Sequence, residues 1–190
     1  MSTTTSVEGG PGALVEEVRT IAREAQGVFG GLSAEQINWK PSAEEWSVGQ
    51  CFEHLIKTNE SFFPTLEAIA KGERRGRLWE RVSPLSGFFG RTVLRSLQSS
   101  KKFKAPQNIR PTASGVGADI IGRFVAHQSE LERRLGAAFG ADAQRVVVTS
   151  PISSLVTYSF GDACRIVVTH ERRHFEQARR VTQTAGFPAR

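Results

Sequence analysis

Two histidines lie one helical turn apart near the end of the chain, in a segment whose residue pattern predicts a helix. Seven residues there alternate spacings of three and four, which puts them on one helix face. They are Phe160, Ala163, Val167, His170, His174, Gln177 and Val181. Because burying imidazoles and an amide without partners costs on the order of several kcal/mol, this seam predicts a group that satisfies them.

A metal ion is the first candidate for that group. Histidines at positions i and i+4 can direct their nitrogens to a single ion, but two ligands seldom suffice. His54 is the best third ligand, since it borders the apolar stripe of an earlier predicted helix. Imidazole favours transition metals over Ca²⁺ or Mg²⁺. We therefore predict one divalent metal on His54, His170 and His174, with Zn or Ni preferred and Fe or Mn as alternatives.

An ion-free site is the competing interpretation. In it, His170, His174 and Gln177, joined by Glu53, form a buried polar network that needs no metal.

Three further side chains are expected to support the site. Gln177 and Thr58 lie three and four residues from a predicted ligand on the same helix faces, where they can orient it. His127 either touches the metal or a bound substrate, or is a partly exposed bundle residue. Glu53 and Glu171 adjoin predicted ligands in sequence, but a helix turns about 100° per residue, so their side chains should point elsewhere.

Four long helices are expected to position these residues, which predicts an all-α, antiparallel four-helix bundle. They run from Leu14 to Phe29, from Ser47 to Ile69, over residues 117–139, and from about Ser159 onward. Ser47 and Gln50 have the spacing of a capping box, as do Ser159 and Asp162 at the start of the last helix. Pro64 should kink or shorten the second helix. Val146–Val148 should be an extended connector, because no partner strand is evident.

The 190 residues suit one domain, predicted over 11–186 after a disordered tail at 1–10. Residues 72–115 form an irregular connector between the second and third long helices. Ten Lys or Arg residues against Glu73 and Glu80 make 71–104 a basic insert. Such a segment can bind an anionic partner or simply be solvated. Within it, LSGFFGRTVLRSL predicts a short amphipathic helix with Phe88, Val93, Leu94 and Leu97 on its apolar side.

Composition narrows the class of protein. Hydrophobic residues make up 39% and charged residues 23% of the chain, an ordinary globular balance. No apolar run reaches about 20 residues, so we expect no transmembrane segment. The absence of an apolar leader and the two cysteines, Cys51 and Cys164, favour a cytoplasmic protein with free thiols. The sequence has no recognition-helix motif, so we expect no specific nucleic-acid binding.

Two motifs resemble those of the DinB-like superfamily, the damage-inducible and YfiT-type four-helix bundles of bacteria. The segment INWKPSAEEWSVGQCFEHL is similar to the W-x-P…WS…HL entry into the second helix. The segment VTHERRHFEQ is similar to the H-E-x-x-H-x-x-Q ending of the fourth. The resemblance, which includes KFKAP and the order of helices, covers most of residues 12–184.

The resemblance implies a divalent metal held by one histidine of the second helix and two of the fourth, which are His54, His170 and His174 here. It also implies a thiol-dependent S-transferase or detoxification enzyme that joins a low-molecular-weight thiol to an electrophile. A metal-dependent hydrolase and a non-catalytic metal-binding stress-response protein stay open as alternatives. H-E-x-x-H also occurs in zinc metalloproteases, but the resemblance implies no protease. Such bundles often pair, and Trp79, Phe88 and Phe89 are candidates for a homodimer contact, for a cover over the site, or for packing on the bundle.

Overall fold

The computed structural model describes residues 10–73, 86–99, 105–113, 115–140, 143 and 146–189. These ranges contain six α-helices, a 3-10 turn at Gln107–Ile109 and two short strands. The helices are α1 (Pro11–Phe29), α2 (Ala34–Asn38), α3 (Val48–Ala70), α4 (Ser86–Gln98), α5 (Ile120–Ala138) and α6 (Phe160–Thr182). The strands are β1 (Val147–Thr149) and β2 (Thr157–Ser159). The predicted all-α class is confirmed.

Four long helices build the core. Helices α1 and α3 each pack against both α5 and α6, so apolar stripes from all four meet in one interior. Fully buried members of these stripes include Ile21, Phe29, Phe52, Leu55, Phe124, Leu131, Phe160 and Val168. Burial of each such side chain contributes about 1.5–3 kcal/mol relative to exposure. The packing of α3 against α6 brings His54 towards the two histidines of the last helix.

The helix starts that matter for the site are capped as predicted. Ser47 accepts a hydrogen bond from the backbone N–H of Gln50, whose side chain accepts one from the backbone N–H of Ser47. Ser159 likewise accepts from the backbone N–H of Asp162 at the start of α6. These caps satisfy N–H groups that a helix leaves unpaired, and they fix where α3 and α6 begin.

Pro64 does not shorten α3, which runs through it to Ala70. Pro64 is exposed, so water can hydrate the carbonyl that its ring leaves without a donor, and the helix continues past it.

The connector expected at Val146–Val148 is instead a strand. Val147–Thr149 pairs antiparallel with Thr157–Ser159, and Val148 lies opposite Tyr158. The second strand leads directly into α6, so no residue pattern in the sequence separates its three residues from the helix. Tyr158 is buried, and this burial stabilises a hairpin too short to be stable alone.

The predicted helix in the basic insert is present as α4, which packs on α6 and β2. Its inward face carries Val93, Leu94 and Leu97, as expected, but Phe88 is 58% exposed. Residues 1–9 of the predicted tail and residues 74–85 and 100–104 of the insert, including Trp79, lie outside the described residues. None of the helices in the described ranges is long and apolar enough to cross a membrane.

Candidate metal centre

Three histidines from two helices meet beside the core. His54 comes from α3, and His170 and His174 come from successive turns of α6. One ring nitrogen of each lies within 4.8 Å of those of the other two. In the part of the chain that the structure describes, this is the one group of three or more histidine, cysteine or acidic side chains arranged closely enough to hold a metal ion.

Hydrogen bonds fix the tautomers of two of these rings. His54 Nδ1 lies 2.7 Å from the carbonyl oxygen of Ile109. Since a carbonyl can only accept, Nδ1 carries the proton and Nε2 keeps its lone pair. His174 Nδ1 lies 2.9 Å from Gln177 Oε1, which has the same consequence. Both rings therefore present an unprotonated Nε2, which is the form that binds a metal.

The distance between two of the nitrogens fits a shared ion. His54 Nε2 lies 3.2 Å from His170 Nε2. Two Zn–N bonds of the usual length, at a tetrahedral angle, separate their nitrogens by about 3.3 Å. The arrangement suits a borderline-soft transition metal, because all three donors are imidazoles.

The ion-free network predicted as the alternative lacks one of its members. Glu53 accepts hydrogen bonds from Thr112 instead of joining the histidines. His170 Nδ1 is buried without a hydrogen-bond partner among the described residues. Such a network would therefore contain an unsatisfied ring nitrogen, which carries a desolvation cost.

Burial keeps the three rings neutral. Desolvation, with the nearby His54 as the next largest cause, lowers the pKa of His174 to about 3. Desolvation also lowers the pKa of His54, and it holds the pKa of His170 well below its ordinary value. Trp46 contributes to this apolar environment, with its ring centroid 4.9 Å from that of His54 and 5.5 Å from that of His174. At neutral pH the site therefore offers lone pairs rather than positive charges.

Three side chains of α3 bind residues 110–113, the segment that follows the carbonyl orienting His54. Gln50 Nε2 donates to the carbonyl oxygens of Thr112 at 2.7 Å and Ala113 at 3.0 Å. Glu53 accepts from the Thr112 backbone N–H at 2.6 Å and from its hydroxyl at 2.5 Å. Lys57 Nζ lies 3.0 Å from Glu53 and donates to the Arg110 carbonyl oxygen at 3.3 Å. These contacts fix residues 110–113, directly after the carbonyl that orients His54.

A second polar cluster ties three helices together behind the site. Glu171 is 0% exposed and accepts hydrogen bonds from Asn59 Nδ2 at 2.7 Å and Gln128 Nε2 at 3.0 Å. Burial raises the pKa of Glu171 to about 7, although both amide donors oppose the shift. Glu171 and Glu53 thus both point away from the histidines, as helical geometry predicts.

The other side chains singled out from the sequence occupy three different settings. Gln177 contacts His174, as described above. Thr58 is buried and lines the same cavity as the histidines, and its hydroxyl has no hydrogen-bond partner among the described residues. His127 stacks on Phe63 with ring centroids 5.2 Å apart, and it does not line that cavity.

The histidines open onto a cavity of about 1910 Å³. Its walls come from α3, α4, α6, the β1–β2 hairpin and the segment around Ile109, with Trp46 beside the histidines and two glutamates of α1 also in the lining. Ligand cavities usually measure about 300–1,000 Å³, so this one exceeds the space that a single small molecule needs. The group is therefore accessible to exogenous ligands.

A family model described as the DinB superfamily matches residues 17–178, which include all three histidines. The chain belongs to the DinB superfamily. A relative of this DinB superfamily chain is an uncharacterized protein, YuaE, of Bacillus subtilis (strain 168). It is 23% identical over 154 residues, covering 80% of the present chain and 87% of YuaE. No solved structure is significantly similar to the chain. Membership of the superfamily and the histidine group together fit a metal-binding protein.

Proposed function

We propose that this DinB superfamily protein is an enzyme that holds one divalent transition metal on His54, His170 and His174 and transfers a low-molecular-weight thiol to an electrophile. The observation that supports it is the convergence of three neutral imidazoles at the edge of a large, open cavity. Three protein ligands leave a coordination position for an exogenous group, which is typical of catalytic rather than structural sites.

The bound metal would act as a Lewis acid that favours the thiolate form of the thiol. The chain's own residues would keep the histidines in the tautomer that binds a metal and away from water. The Ile109 carbonyl and the Gln177 amide oxygen hold protons on Nδ1 of His54 and His174, so both Nε2 atoms stay available. Trp46 shields two of the rings from water.

The proposed reaction breaks the S–H bond of the thiol and forms a bond from sulfur to the electrophilic carbon. The proton passes to solvent, and the leaving group departs with its bonding electrons. The cavity supports a reaction of this kind, because its volume suffices for a thiol and an electrophile together. Zn²⁺ and Ni²⁺ are the preferred ions, with Fe²⁺ and Mn²⁺ as alternatives.

The hydrolase alternative requires a general base that reaches the attacking water. The two carboxylates that adjoin the ligands in sequence are held elsewhere, Glu53 by Thr112 and Glu171 by Asn59 and Gln128. Neither of these two carboxylates is free to serve as that base, but Glu44 and Glu176 line the same cavity, so the thiol panel described next must separate the two reactions.

A panel of low-molecular-weight thiols with a chromogenic electrophile tests the proposal. We expect turnover with at least one thiol, its loss with a chelator, and its return when Zn²⁺ or Ni²⁺ is added. His170→Ala should bind little metal and show only the uncatalysed rate. Stoichiometric metal without chelator-sensitive turnover for any thiol would instead support a non-catalytic metal-binding protein. Equal metal content in the wild type and in His170→Ala would refute the metal site itself.

A further inference from the structure

The cavity beside the histidines has an apolar side that takes no part in metal binding. Phe62 lies two helical turns beyond His54 on α3, and Ile166 and Val167 lie one turn before His170 on α6. Opposite them, α4 contributes two further apolar side chains. The members of this apolar side are Phe62, Val93, Leu97, Ile166 and Val167, and all five line the same cavity as the histidines.

These side chains form a buried floor and a partly exposed cover. Phe62, Ile166 and Val167 are 4%, 7% and 5% exposed, which makes them part of the core. Val93 and Leu97 are half-buried and pack on that core from α4. Because apolar surface that lines a cavity gains free energy when an apolar group replaces water, this side favours an alkyl or aryl ligand.

Helix α4 is fixed to the histidine-bearing helix at two points. Arg173, the neighbour of His174, donates through Nη1 to the carbonyl oxygen of Leu97 at 2.6 Å and also to that of Ser99. One turn before Val93, Gly90 packs so closely on α6 that an added Cβ would lie 2.6 Å from Asp162 Oδ2. The side chains of Val93 and Leu97 therefore have a defined position relative to the histidines.

We propose that this apolar side binds the alkyl or aryl group of the electrophile, and that Val93 and Leu97 of α4 determine which sizes are accepted. The inference rests on the proposed function, since it assigns one substrate of that reaction to one side of the cavity. Continuity of the apolar side with the histidines would place the reactive carbon beside the thiol. Helix α4 is thus the specificity-determining element of the site.

Equilibrium binding of a neutral fluorescent apolar probe, N-phenyl-1-naphthylamine, tests the assignment without any turnover. We expect Leu97→Asn to weaken probe binding by about tenfold, because it removes apolar surface and adds an amide that must keep its hydration. The matched control is Phe88→Asn, which changes an exposed residue of the same helix outside the cavity and should leave the dissociation constant unchanged. If Leu97→Asn fails to fold, the nearly isosteric Val93→Thr should still weaken binding by about threefold.

Straight-chain primary alcohols of increasing length, used as competitors, add a measure of size. Their affinity should rise with each methylene until the apolar side is filled, and Leu97→Ala should move that limit to longer chains. Unchanged binding in Leu97→Asn, or an equal loss in Phe88→Asn, would overturn the assignment. Leu97-dependent probe binding without thiol transfer would overturn the proposed function alone, and thiol transfer with unaltered probe binding in Leu97→Asn would overturn this inference alone.

Discussion

Removal of the Glu53 carboxylate should weaken metal binding, although Glu53 contacts none of the three histidines. Glu53 accepts two hydrogen bonds from Thr112 and pairs with Lys57 at 3.0 Å. Burial opposes ionisation of Glu53, but the Thr112 and Lys57 contacts hold its pKa below the ordinary value. The carboxylate is therefore charged at neutral pH, and its hydrogen bonds have the strength of charge-assisted ones.

The expected magnitude follows from what those bonds support. Hydrogen bonds to a charged group contribute about 1.5–3 kcal/mol each, and partial exposure of the Lys57 pair reduces its share. In Glu53→Ala, residues 110–113 lose this anchor, so the Ile109 carbonyl 2.7 Å from His54 Nδ1 is held less firmly. Residues that hold a metal ligand in place without touching the metal typically account for a 10- to 100-fold effect on metal affinity. For Glu53→Ala we expect metal affinity to fall about tenfold, or about 1.4 kcal/mol.

Competition for Zn²⁺ with a chromophoric chelator measures this effect directly. Glu53→Gln should lie between the wild type and Glu53→Ala, because its amide oxygen can still accept one bond from Thr112. Glu60→Ala is the matched control, since Glu60 is an exposed acidic residue of the same helix. If Glu53→Ala binds Zn²⁺ as tightly as Glu60→Ala, the support assigned to residues 110–113 is wrong.

Three other predictions concern the histidines and the buried carboxylate. His170→Ala should reduce Zn²⁺ affinity by at least about 100-fold in the same assay, because two imidazoles seldom hold the ion; an unchanged affinity would contradict the site. Glu171→Ala should lower the free energy of unfolding by about 2–4 kcal/mol, measured with urea, because it leaves the buried amide donors of Asn59 and Gln128 unpaired. Glu171→Gln should cost less, since Asn59 Oδ1 lacks a partner among the described residues and can accept a hydrogen bond after its amide rotates. Burial lowers the pKa of His127 to about 4 in the folded protein, so as the pH falls the unfolded chain takes up this proton first. The wild type should therefore lose about 1–2 kcal/mol more stability between about pH 7 and pH 5 than His127→Gln, and equal losses would contradict the shift.

Much of the fold follows from side-chain patterns that are local in sequence. Regular spacing of apolar residues predicts the four long helices, and serine caps predict where α3 and α6 begin. His170 and His174 interrupt an otherwise apolar seam, which reveals a polar site inside the core. His54 joins them only if α3 packs on α6, and the apolar stripes of both helices indicate a shared core but not which helices are neighbours in it.

Other parts of the site leave no such pattern. The group that orients His54 is the backbone carbonyl of Ile109, and every residue has a carbonyl, so residue type cannot identify it. Asn59 and Gln128 do stand out as polar residues in apolar stripes, but their common partner, Glu171, is evident only once three helices are packed together. The β1–β2 hairpin is also hidden, because its strands are three residues long and β2 continues directly into α6.

The two helices that supply the histidines lie far apart along the chain, because His54 and His170 are separated by 116 positions. A cation shared by them would close a very long loop, much as a covalent cross-link does, and it could be captured only after both helices had docked. Metal binding would then occur in the last stage of folding. Withdrawal of the ion would loosen the packing of α3 on α6 from within and would make resistance to heat depend on metal supply.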